Sequence, residues 1–316
     1  MALTTAETYT PELISVVLCT YNGEKYLDEQ LWSIRNQSWK NLEILIGDDA
    51  SSDGTLAIAT NHAQQDSRIR IYSNATNLGY NENFSQTCSK AQGQFIAFAD
   101  QDDYWESEKI EKLTKNFRKE CPLIYCDSAP FSGPIAKIGN KKSLTRRFEG
   151  VDIFKLALFN TINGHAILAR TDFIISLLPF PKHLFYDWYI GAVAATKGGV
   201  QYYPERLVHQ RMHGQNASVI GSPGEKIDTK TRHLQSVLMH CQLFKQLEGV
   251  SPSSKAQLEQ WVKHLQQLTI HRKWLGCFLF MLKNRNSLFW YKKRKISFFS
   301  HLKHTSKLLY TYLKYN

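Results

Sequence analysis

A chain of 316 residues with 43% hydrophobic content is long enough to bury a sizeable core and fits a soluble globular protein of one large domain or two smaller ones. The net charge of +11 is unevenly placed: residues 260–316 carry 12 Lys and Arg and no Asp or Glu, so the first 259 hold 27 basic against 28 acidic groups. A near-neutral body argues against a nucleic-acid protein, and the excess belongs to the tail. Six cysteines without Cys-x-x-Cys spacing read as reduced, buried thiols rather than a disulfide framework or a zinc site. The first residues, MALTTAETYTPEL, show no signal-peptide pattern, and the apolar run Trp274 to Leu282 is too short to span a bilayer.

In chain order, Leu13 to Cys19 is a β-branched apolar run of strand length, followed by the turn Thr20, Tyr21, Asn22 and Gly23. Tyr26, Leu27, Leu31 and Ile34 then recur at helical spacing. A dinucleotide fold would place Gly-x-Gly-x-x-Gly in that turn, and one glycine excludes it. Leu42 to Gly47 is a second strand ending in Asp48 and Asp49, and Ser51, Ser52 and Asp53 offer N-caps for the helix through Leu56 and Ile58. Ile69 to Ser73 is a third strand, Asn77 to Tyr80 a turn and Phe84 to Ala91 a helix. Phe95 to Trp105, FIAFADQDDYW, is a buried strand that stops at Asp100, Asp102 and Asp103. The alternation predicts a parallel, doubly wound α/β sheet, whose ligand crevice lies beyond the carboxyl ends of its strands. There an Asp-x-Asp of Asp100 and Asp102 is either a hard divalent-cation site or an acidic turn capping the next helix.

Glu108 to Lys119 reads as an amphipathic helix, Leu123 to Cys126 as a strand, and Phe131 to Phe148 as a mobile loop or a long crossover. Asn163, Gly164 and His165 lead into a strand ending at Ala169, with Thr171 capping the next helix. Asn163 and His165 suit either a ligand contact or a buried, hydrogen-bonded place. Asp187, in FYDWYIG, stands at a helix start, where a lone acid is ordinarily an N-cap. Val200 to Tyr203 and Leu207 to Arg211 read as two strands, RMHGQN follows, and Gly221 to Gly224 marks a boundary between regions 1–224 and 225–316. Thr231 to Leu247 and Lys255 to Thr269 are helices. Beyond them aromatic and aliphatic residues mix with Lys and Arg, as on a surface lying in an anionic lipid interface, in a helical bundle with one basic face or, as a third and weaker reading, on RNA.

The motifs SVVLCTYNGEKYL, the Gln37 neighbourhood, IGDDASSDGT, NLGYNENF and ADQDDYW together resemble the family 2 glycosyltransferases of the GT-A fold over roughly the first 215 residues, and within that family the rhamnosyltransferase-like enzymes of bacterial surface polysaccharide. The resemblance implies a GT-A catalytic region with a helical, basic C-terminal extension. It implies donor contacts at Thr20, Tyr21, Asn22, Asp48, Asp49, Asn77, Gly79, Asp100, Gln101 and Arg211. It further implies Mn²⁺ or Mg²⁺ at Asp100, Asp102 and His213, and Asp187 as catalytic base. The expected reaction is inverting transfer of rhamnose or another hexose from a nucleotide-diphosphate sugar to a hydroxyl of a lipid-linked, lipopolysaccharide or capsule glycan. The expected place is the inner face of a bacterial cytoplasmic membrane, with residues 260–316 against anionic lipid. Two other classes use such a chain: a sugar-phosphate nucleotidyltransferase, for which TYNGEKY is a poor triphosphate loop, and a non-catalytic membrane-bound assembly partner, which would have no need of Asp102 and Asp187.

Overall fold

The computed structural model describes residues 13–133, 145–213, 229–292, 301–303, 305–306 and 309. The boundary expected at 221–224 lies outside these residues, as do 134–144 of the expected loop and most of the chain beyond 292.

The apolar runs form β1 (Ile14–Thr20), β2 (Leu42–Asp48), β3 (Ile69–Ser73) and β4 (Phe95–Asp100). Helices α1 (Leu27–Arg35), α2 (Thr55–Gln65) and α3 (Tyr80–Cys88) connect them. These strands are parallel in the order β3-β2-β1-β4, as the alternation predicts, and Val16 lies between Ile44 and Ala97. Residues of both faces of β1, β2 and β4 are buried, the pattern of a sheet covered by helices on each side.

The second half departs from a purely parallel sheet. It contains β5 (Tyr104–Trp105), α4 (Lys109–Lys115), β6 (Leu123–Phe131), β7 (Ile167–Arg170), α5 (Thr171–Ile175), α6 (Tyr186–Thr196) and β8 (Val200–Arg211). The full order is β3-β2-β1-β4-β7-β6-β8-β5, and β7 runs antiparallel to both β4 and β6. The two strands expected at 200–203 and 207–211 are one: β8 stays paired with β6 and absorbs Pro204 and Glu205 in register shifts around Asp127. A proline cannot donate to a ladder, and a bulge removes that demand. Thr171 does not cap α5; its hydroxyl donates to the Gly93 carbonyl at 2.6 Å.

Helices α7 (Thr229–Phe244), α8 (Pro252–His271), α9 (Trp274–Lys283) and α10 (Arg285–Leu288) follow. They share one core with the sheet rather than forming a detached arm. The Trp261 indole N–H donates to the Ala157 carbonyl at 2.9 Å, Trp290 to Lys155 at 2.6 Å and Trp188 to Leu156 at 2.9 Å. Three indoles therefore clasp the turn at 153–158. Trp261→Ala removes a fully buried side chain and is expected to cost about 3–5 kcal/mol, read as a lower denaturant midpoint. Among the described residues no helix is long and apolar enough to cross a membrane.

Candidate active site

Parallel strands that end at one level bring their last residues together. Thr20 stands opposite Asp48 and Cys19 opposite Asp100, at the point between β1 and β4 where the strand order reverses. The turn after β1 is shaped by Asn22, in the left-handed region at φ 49°, whose carbonyl oxygen Oδ1 accepts from the Ser52 amide at 2.9 Å. Gln101 folds over this turn: its Oε1 accepts from the Thr20 hydroxyl at 2.6 Å and the Tyr21 amide at 2.8 Å. A Cβ at position 23 would lie 2.3 Å from that oxygen, so Gly23 permits the contact. Thr20, Tyr21, Asn22 and Gln101 are thus one structural unit.

Asp48 and Asp49 behave differently from solvated acids. Asp48 is fully buried and accepts from the Ser51 amide at 3.1 Å. Asp49 accepts from the amides of Leu78 at 2.8 Å and Gly79 at 2.9 Å, and Asn77 donates to its carbonyl at 3.3 Å. Asp49 therefore anchors the loop that Asn77 and Gly79 belong to. Gly79 caps α3 at φ 84°, a conformation that favours glycine. Asn81 of the same motif donates to the Leu184 carbonyl at 2.7 Å, which fixes the approach to α6.

The acids after β4 form two carboxylate–imidazole pairs with Asp100 beside both. In the inner one, His165 Nδ1 lies 3.1 Å from Asp103 and 3.2 Å from Asp100. Asp103 and His165 are buried, whereas the Asp100 side chain is 40% exposed. Burial acts against a charged His165, but Asp103 and Asp100 outweigh it and hold the imidazole above its ordinary value. Burial drives the Asp103 carboxyl upward against the attraction of His165. In the outer pair, His213 Nε2 meets Asp102 Oδ2 at 2.7 Å. Burial first, then repulsion from Asp100, raises Asp102.

Asp100, Asp103 and His165 offer ligand atoms within 4.8 Å of one another, the spacing of an acidic metal site. Oxygen donors with an imidazole suit a divalent ion such as Mn²⁺, and the buried Asp103 Oδ2, 3.1 Å from His165 Nδ1, lies among these donor atoms. The acidic end of β4 thus fits a cation.

Behind this cluster lies Lys109, fully buried, with Nζ 2.6 Å from the His165 carbonyl and 3.2 Å from the centre of the Trp105 ring. Burial lowers this ammonium to about 7. His165, which the sequence offers either as a ligand contact or as a buried, hydrogen-bonded residue, is buried and paired with the acids of this constellation, whereas no motif in the sequence marks Lys109. The available signal was that Lys109 shares the inward face of α4 with Ile110, Leu113 and Thr114. Lys109→Met should weaken the hold on His165 and lower metal affinity about 10–100-fold, measured by titration calorimetry with Mn²⁺.

Arg211 is in place but engaged within the protein. Its amide donates to Asp103 at 3.0 Å, Nε to the Asp102 carbonyl at 3.0 Å and a terminal nitrogen to Gly133, while Glu29 pairs with the other. The guanidinium lies between Tyr26 and Phe131, and the residue is 5% exposed. It holds the acidic loop from the position at which the resemblance implies a donor contact. Gln37 has a similar task, with Nε2 2.8 Å from the Glu106 carbonyl and Oε1 accepting from the Ile110 amide at 3.1 Å.

Asp187 lies in the first turn of α6, half-buried. It is not the N-cap; Phe185 occupies that position without a side-chain bond. Amides of Trp188, at 2.6 Å, and Gly164 donate to the carboxylate, yet burial outweighs them and, with Asp100 adding repulsion, lifts the group to about 6. Tyr80, 43% exposed, is raised by burial and by Asp187, and Phe185 is 46% exposed. The structure thus sets a basic carboxylate near the acidic end of β4, with aromatic rings alongside.

A switch-point crevice edged by an Asp-x-Asp-Asp, in a mixed α/β sheet of this order, defines a nucleotide-diphospho-sugar transferase of GT-A type. The pattern of Glycosyl transferase family 2 matches residues 15–174, and the chain belongs to that family. An uncharacterized glycosyltransferase of Haemophilus influenzae is 29% identical over 225 residues, covering 66% of this chain and 68% of the relative. The GalNAc(5)-diNAcBac-PP-undecaprenol β-1,3-glucosyltransferase of Campylobacter jejuni is 37% identical over 161 residues, covering 46% of this chain and 52% of its own. Among solved structures, the mannosyltransferase PcManGT of Pyrobaculum calidifontis, in complex with GDP-Man and Mn²⁺, superposes with a TM-score of 0.59 at 16% identity, covering 98% of this chain and 83% of that one. The chain is a glycosyltransferase.

Proposed function

We propose that the enzyme transfers a hexosyl group, such as rhamnose, with inversion from a nucleotide-diphosphate sugar to a hydroxyl of a lipid-linked bacterial glycan. The observation that carries this reading is Asp187, a carboxylate lifted to about 6 by burial and by nearby Asp100 at the carboxyl edge of the sheet. A base of that strength suits removal of the acceptor proton near neutral pH, and direct displacement from the opposite side inverts the anomeric centre. Thr20, Tyr21, Asn22 and Gln101 line the nucleoside side of the crevice, with Asp48, Asp49, Asn77 and Gly79 holding its wall. Asp100, Asp102 and His213 would hold Mn²⁺ or Mg²⁺, braced from behind by Asp103, His165 and Arg211. The ion would offset charge on the leaving diphosphate.

The acceptor class is supported by the Campylobacter relative, whose name specifies an undecaprenol-linked glycan. The same reading divides the chain into a catalytic region, 1–224, and a helical region, 225–316, that sets the enzyme on the inner face of the cytoplasmic membrane. The test is a thermal-shift series with UDP-, GDP- and dTDP-hexoses, each with Mn²⁺, Mg²⁺ or chelator. A rise in Tm confined to one nucleotide and abolished by chelator is expected. Absence of any shift across the series would refute donor binding by the free enzyme.

A further inference from the structure

We infer that the outer face of α9, with the corner joining it to α8, is the surface by which this protein lies in an anionic lipid interface. The inner face of α9 is already satisfied. Cys277, Phe280 and Met281 are buried, Phe280 stacks on Trp261 with centroids 5.4 Å apart, and a Cβ at Gly276 would lie 2.8 Å from His264. Glycine at that point lets α9 seat closely on α8. What remains faces outward: Trp274 is 46% exposed, Leu275 56% and Leu279 55%, with Ile270 at 68% just before the corner. Positions 274, 275, 278, 279 and 282 fall on one side of a helix. An apolar stripe of this kind on a ten-residue helix is too short to cross a bilayer and long enough to lie along one.

The charge around the stripe selects the occupant. His271, Arg272 and Lys273, all exposed, form the corner, and exposed Lys283 ends the helix. The corner is held rather than loose: Arg272 sits at φ 55°, its amide donates to Leu268 at 3.1 Å, and the Lys273 amide donates to Gln267 at 3.0 Å. No acidic residue occurs after Glu259. A second copy meeting this face would set one basic rim against another without a compensating carboxylate from this segment. A nucleic acid would satisfy the cations and leave Leu275 and Leu279 without a partner. An anionic bilayer satisfies both, with aliphatic side chains at the acyl boundary, Trp274 at headgroup depth and the cations among lipid phosphates.

This inference rests on the lipid-linked acceptor reading, but vesicle binding is measured without acceptor or donor, so either can fail alone. The experiment is sedimentation of the full chain with vesicles of phosphatidylcholine, with and without phosphatidylglycerol, at low and high salt. Wild-type protein should pellet with the anionic vesicles, and salt should weaken the association. Leu275→Glu with Leu279→Glu should reduce partitioning at least about tenfold, while Arg272→Glu with Lys273→Glu should reduce it on anionic vesicles alone. Point variants are needed because deletion from residue 260 would remove Trp261 from the core. Leu275→Ser with Leu279→Ser provides a milder pair, and an unchanged Tm certifies each variant's fold. Equal pelleting of native and variant proteins would overturn the inference. So would a concentration-dependent dimer, abolished by the leucine variants, in a protein that ignores vesicles.

Discussion

Asp187→Asn is expected to lower kcat by about a hundredfold or more while leaving the donor KM near its native value. The amide keeps the shape of the carboxylate and its Oδ1 can still accept from the Trp188 amide, so α6 should keep its start. It cannot take a proton. In the native enzyme, burial has lifted this carboxyl from 3.8 to about 6. Activity should therefore fall on the acid side as pH drops through about 6, and the residual activity of the Asn variant should lack that limb. The same shift fixes the sign of a stability effect. A carboxyl whose native value lies above its unfolded one contributes stability that is complete below the unfolded value and is lost as pH rises through the native value. At neutral pH the Asn variant, which carries no such charge, should melt at or above the native temperature. Equal losses in donor affinity and rate, or an acid limb that survives the substitution, would remove Asp187 from the role of base.

The sequence carries some of this site and hides the rest for physical reasons. Strands β1, β2 and β4 are legible because a strand buried on both faces is largely apolar, and the acids at the ends of β2 and β4 are legible because the apolar run stops there. The antiparallel insertion of β7 is not legible. Its neighbours are fixed by ladder pairings across the chain, such as Ala97 with Leu168, and no local pattern records direction. Asp187 reads locally as a cap; resemblance, rather than its surroundings in sequence, marks it as a base. His165 is offered by the sequence as a ligand contact or a buried residue and is placed by its pairing with Asp100 and Asp103, while Lys109, which reads as ordinary helix, acquires its role from a contact with the His165 carbonyl across 56 positions. Arg211 shows the converse. The resemblance implies a donor contact there, while its surroundings in the fold, Glu29, Tyr26 and Phe131, have no trace in the local sequence.

The two imidazole pairs near Asp100 should separate metal binding from folding. Asp102→Ala is expected to abolish the chelator-sensitive part of donor binding while leaving the fold close to native. Asp102 and His213 are 13% and 16% exposed, beside the far more open Asp100, so an ion arriving with a diphosphate from solvent meets this pair first. His165→Ala acts behind it. Asp103 would remain buried without the imidazole beside it, with Asp100 and Asp102 both raising its carboxyl. Removing one member of a buried pair costs about 3–5 kcal/mol, so this variant should lose stability first and metal affinity second. Denaturant midpoints and calorimetric titration with Mn²⁺, run on both variants, distinguish the effects. Should His165→Ala lose Mn²⁺ binding at undiminished stability while Asp102→Ala retains it, the ion belongs to the inner triad of Asp100, Asp103 and His165. The outer pair would then be left to hold the loop on which Asp102 stands.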